Sequence, residues 1–122
     1  MFKEIGRIVE LLKYPQSIIL GLDKVAHINN DDLTLTITSE ECAELIQAIS
    51  KIKRYGVDPI NASHLNEEVA DVLICIYELY AMGYLVTDKI TEIIERKVER
   101  SMQRTQDYIK ELEEEAGSDG SF

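Results

Sequence analysis

The chain has 122 residues, 45% of them hydrophobic, and carries 13 Lys and Arg against 23 Asp and Glu, a net charge of −10. That length suits one domain able to bury a core without disulfide or metal staples, and that composition excludes a disordered polymer. The acid excess argues against general DNA or RNA binding, which needs cationic surface against phosphate, and no apolar run approaches the ~20 residues that span a membrane.

Residues 2–14 carry Phe2, Ile5, Ile8, Val9 and Leu12 at helical spacing. Pro15 interrupts them, and residues 16–28 predict a second helix. Asn29, Asn30, Asp31 and Asp32 read as a turn. Residues 33–38, LTLTIT, alternate aliphatic and Thr at the period of a strand. No partner strand exists elsewhere, so a short extended arm or an intersubunit pairing is expected there rather than a sheet. Residues 40–55 predict a helix capped by Thr38 or Ser39 and stopped by Gly56. After the loop VDPINAS, residues 64–82 predict another, ended by Gly83, and Thr87 caps a last one from about residue 88 to about residue 115. The tail, 116–122, is expected to be disordered. The expected fold is therefore all-α: a bundle of four to five helices, with a short extended segment before the acidic pair, in one domain over residues 1–115.

Cys42 and Cys75 lie among aliphatics at helical spacing and read as small core hydrophobes. No Cys/His cluster suggests zinc. The N-terminal MFKEIGRIVELLKY has acids and no apolar signal core. A cytoplasmic protein is the expectation.

Charge is not spread evenly. Residues 40–86 carry three basic and eight acidic side chains, and residues 107–122 carry one and six. The C-terminal acids read as a solvated end. The central acids do not. At ~100° per residue, Glu41 falls inside the apolar stripe of Ala48, Ile52, Leu45, Ile49, Cys42 and Ile46, and Glu44 falls at its edge. Residues 64–82 are apolar nearly all round, which marks a buried helix. Their polar residues gather in a narrow strip with His64, Glu67, Glu68, Asp71 and Glu78. Glu41 with Glu44, and Glu68 with Asp71, are each spaced i, i+3 and so lie one turn apart on one face.

If the two helices pack antiparallel, four carboxylates converge. Uncompensated buried charge costs several kcal/mol. The group must protonate or bind a cation, and a hard divalent ion, Mg²⁺ or Mn²⁺, suits oxygen ligands. Glu40 and Glu67 read as caps or outer groups, Glu78 as half of a structural ion pair or else an extra ligand, and His64 as a helix N-terminal residue.

The last helix supplies the opposite sign. Lys97 falls between Ile93 and Ile90 on the wheel, with Ser101 and Arg104 flanking the same line. A lysine on a core-facing stripe needs an anion. Lys51 lies two turns beyond Glu44 on one face and is a further candidate. Carboxylate-held metal beside Lys and Arg suits a polyphosphate, because the metal neutralises phosphate oxygens and activates water.

These residues carry a resemblance. Glu40-Glu-Cys-Ala-Glu44, followed after 23 residues by Glu68 and then Asp71, resembles the EExxE…ExxD signature of the MazG-like all-α nucleoside triphosphate pyrophosphohydrolases. ERKVERSMQR is similar to the basic stretch on that family's last core helix, and the likeness covers roughly residues 35–108. It implies Mg²⁺ ligands at Glu41, Glu44, Glu68 and Asp71, hydrolysis of an NTP or dNTP to the monophosphate and pyrophosphate, and a homodimer or homotetramer. Lys97, Arg104, Ser101 and Lys51 would then face the substrate. Relatives acting on dUTP or dCTP often have Asn where this chain has Ser101. Phosphoribosyl-ATP pyrophosphatase and a dUTP/dCTP hydrolase are the alternatives within the superfamily. Outside it stands a non-catalytic helical oligomerisation module with a structural ion.

Overall fold

The computed structural model describes residues 16–28 and 30–119. Among them the regular structure is all helix: α1 is Gln16–Ile28, α2 is Asp31–Tyr55, α3 is Pro59–Ala81 and α4 is Thr87–Asp119. The helix expected over residues 2–14 lies outside the described residues. The all-α class is as read from sequence, but there is no strand or extended segment among the described residues. Residues 33–38 are the first turns of α2.

The cause of that difference is local. The Asn30 side chain accepts a hydrogen bond from the Leu33 N–H at 2.8 Å, and Asp31 and Asp32 occupy the first turn, where the helix dipole favours acids. The expected caps, Thr38 and Ser39, are interior instead. Their hydroxyls donate to the carbonyls of Thr34 (2.8 Å) and Leu35 (3.0 Å), one turn back. A β-branched residue costs a helix only ~0.5 kcal/mol, which one good cap and continuation into residues 40–55 outweigh.

Gly56 ends α2 at φ 84°, a value that favours glycine, and its N–H donates to Ile52 O at 2.9 Å. Two residues later Asp58 caps α3, accepting from the Asn61 N–H at 2.7 Å, with Pro59 in the first turn. Three residues thus reverse the chain, and α2 and α3 pack as an antiparallel hairpin. A Schellman motif closes α3: the Gly83 N–H donates to Tyr80 O (3.0 Å) and the Tyr84 N–H to Leu79 O (3.1 Å), with Gly83 at φ 86°. The Tyr84 hydroxyl then donates to Asp31 Oδ2 at 2.9 Å, tying the end of the hairpin to the start of α2. α1 packs against α3 on another side.

Such a seam is normally filled with apolar side chains. Here the buried positions, among the described residues, are Ala48 and Cys75 together with Thr34, Glu68 and Glu78. Larger aliphatics remain open on other faces, among them Ile46 and Ile49 of α2 and Val69, Ile74 and Ile76 of α3.

The chain divides into two units, one up to Leu85 and one from Val86 onward. The second is α4, a long amphipathic helix that runs to Asp119, four residues into the segment read as tail. A single helix cannot bury its own apolar stripe, and Ile90, Ile94, Val98, Tyr108 and Leu112 are exposed.

Candidate metal centre

The hairpin brings the two acidic pairs face to face. α2 carries Glu41 and Glu44 one turn apart, and α3 carries Glu68 and Asp71. One carboxylate oxygen from each of Glu41, Glu44 and Glu68 lies within 4.8 Å of the others. Glu68 is buried, Glu41 half-buried and Glu44 exposed. Asp71 is outside this tight group, yet its charge is felt by both Glu41 and Glu68.

Electrostatics follow from that placement. Burial pushes the Glu41 carboxyl above its ordinary value of 4.5, and repulsion from Glu44, Asp71 and Glu68 adds to it. Burial also raises Glu68, with Glu44 and Asp71 adding and the neighbouring His64 acting the other way. Two oxygens stand out: Glu41 Oε2 and Glu68 Oε2 are buried and have no hydrogen-bond partner. A buried acceptor left unpaired has lost its water without replacement, and the loss is greater when it is charged. Three hard oxygen donors at this separation, two of them otherwise unsatisfied, fit a divalent cation with oxygen preference.

His64 belongs to this surrounding. It lies one turn into α3, not at its start, and its Nε2 is 3.1 Å from Glu68 Oε1. It also lines a cleft of about 550 Å³ with Lys51, Pro59, Ile60, Asn61, Ser63 and Glu67. Sequence reasoning gave His64 no role, although its i, i+4 spacing to Glu68 was the available signal.

The remaining candidates are distributed as follows. Lys51 is exposed at the rim of that cleft. Lys97, Ser101 and Arg104 are exposed on α4, the second unit. Glu78 is buried, and burial alone raises its carboxyl. It makes no ion pair with any described residue, so the structural pair expected for it does not form among them. Cys75 is buried beside the Thr38 hydroxyl, and burial raises its thiol. Cys42 is exposed rather than in the core.

The family model for the MazG nucleotide pyrophosphohydrolase domain matches residues 29–109 of this sequence. No curated protein and no solved structure matches it significantly. No helix among the described residues is long and apolar enough to cross a membrane.

Proposed function

Because the chain belongs to the MazG nucleotide pyrophosphohydrolase family, we propose that it hydrolyses a nucleoside triphosphate, NTP or dNTP, to the monophosphate and pyrophosphate. In this reading Glu41, Glu44, Glu68 and Asp71 hold Mg²⁺, with Mn²⁺ as a substitute. The observation that carries it is the pair of buried, unpartnered oxygens, Glu41 Oε2 and Glu68 Oε2, beside Glu44.

The bound metal supplies charge neutralisation on the phosphates and a more acidic water. The chain supplies the rest. A water oxygen bonds to phosphorus, the α–β phosphoanhydride P–O bond breaks, and pyrophosphate departs with the electron pair. The water's proton goes to a carboxylate of the cluster. Burial and the neighbouring acids raise both Glu41 and Glu68 above their ordinary value, the direction that favours a carboxylate taking up a proton. Lys97 and Arg104 balance the leaving charge, while Ser101 and Lys51 contact the substrate.

The family match over residues 29–109 runs across both units, which supports reading them as parts of one catalytic domain, and we extend that domain over residues 1–115. The open aliphatics of α3 and the apolar stripe of α4 support a homodimer or homotetramer. A cytoplasmic setting agrees with a nucleotide substrate.

The test is a panel of NTPs, dNTPs and phosphoribosyl-ATP, each incubated with Mg²⁺ and assayed for pyrophosphate. Release from at least one substrate is expected, and the panel identifies the base. Glu41→Gln and Glu68→Gln should each lower kcat about 100-fold or more, since a metal contributes several kcal/mol at the transition state. A folded protein releasing no pyrophosphate from any of them overturns the reading.

A further inference from the structure

We infer that His64 is a positioning residue for the metal centre: its imidazole donates from Nε2 to Glu68 Oε1 and thereby presents Glu68 Oε2 to the cation. This rests on the proposal that the acid cluster holds a divalent ion.

Four observations carry it. His64 Nε2 lies 3.1 Å from Glu68 Oε1, a hydrogen-bond distance. The Glu68 side chain is only 9% exposed, so its rotamer is confined. Its other oxygen, Oε2, is buried and bonded to nothing. One oxygen of Glu68 belongs to the group that gathers within 4.8 Å with Glu41 and Glu44. A carboxylate with one oxygen anchored has its plane fixed, and the second oxygen is the one left for a ligand.

The arrangement needs no change of charge at His64. An imidazole carrying a proton on Nε2 donates the bond, and His64 also lines the cleft with Lys51, Asn61 and Ser63. The i, i+4 register on α3 brings the ring over the acid. Glu44, by contrast, is exposed. Outer groups that orient a metal ligand typically contribute 10–100-fold in metal affinity.

The experiment titrates nucleotide-free protein with Mn²⁺ and follows the free ion by electron paramagnetic resonance. Wild type, His64→Ala, His64→Gln, His64→Leu and Glu68→Gln are compared, with thermal melting in metal-free buffer confirming the fold. His64→Ala is expected to weaken Mn²⁺ binding about 10–100-fold without altering the metal-free fold. His64→Gln, whose amide can donate to the same oxygen, is expected to recover most of the affinity. Should the alanine variant not fold, His64→Leu, which keeps bulk but has no donor, decides in its place.

Unchanged Mn²⁺ affinity in the variants without a donor overturns the inference. Equal loss in His64→Ala and His64→Gln also overturns it, because the donor would then be irrelevant. Loss in Glu68→Gln with no loss in His64→Ala overturns the positioning role and leaves the metal centre standing. A wild-type protein that takes up no Mn²⁺ overturns both.

Discussion

Glu41 and Glu68 could be singled out from sequence because a carboxylate inside an apolar stripe is a local contradiction, and such contradictions collect at functional sites. Asp71 could be paired with Glu68 for the same reason. The i, i+4 spacing puts His64 beside Glu68, but a helical wheel does not contain which oxygen meets which neighbour, so the contact of Nε2 with Oε1 was not legible. The buried acids also set a dependence on pH. Glu41, Glu68 and Glu78 have folded-state carboxyls raised above 4.5. Between that value and the raised ones, the folded protein binds more protons than the unfolded chain, so metal-free stability falls as pH rises. Melting curves without metal should therefore show Tm declining from about pH 4.5 upward, and Glu68→Gln or Glu78→Gln should flatten the decline. Mg²⁺ or Mn²⁺ should raise Tm by more at high pH than at low, because cation and proton compete for the same oxygens. A metal-free Tm that climbs over this range would contradict the picture.

At the scale of elements, the helical hairpin is defined by its ends. Helix existence and order were readable from periodicity, and Gly56 and Gly83 were readable as stops. The start of α2 was not, since alternating Leu and Thr imitate a strand and the decisive cap, Asn30, sat in a run of turn-forming residues. Propensity there was overridden by continuity with the helix downstream. Two contacts at the far end invite measurement. Gly83 at φ 86° admits an L side chain only under strain, although a methyl group there would meet nothing within 4 Å. Gly83→Ala should thus lower stability by ~1 kcal/mol through backbone conformation alone. Tyr84→Phe, which removes an exposed hydrogen bond to Asp31, should lower it by less, because water takes over an exposed partner. Denaturant midpoints at constant m-value measure both, and a loss for Tyr84→Phe above that for Gly83→Ala would reverse the assignment of what closes the hairpin.

For the whole molecule, the net charge of −10 argues against a polyanionic polymer as partner and not against a small anion, because a cation held by the hairpin acids would reverse the local sign. The apolar residues left open on α3 and α4 make a prediction at the same scale: sedimentation velocity should give a dimer or tetramer, and a clean monomer would refute it. One consequence of the three-residue connection concerns the order of folding. Glu41, Glu44, Glu68 and Asp71 lie on sequence neighbours joined by a three-residue link, so bringing them together closes a small loop and loses little chain entropy. Contacts of such low order form on fast timescales. All four acids lie within the α2–α3 hairpin, the last of them Asp71, so none of their partners in the cluster comes from α4. Their mutual repulsion is therefore a cost carried within that one hairpin.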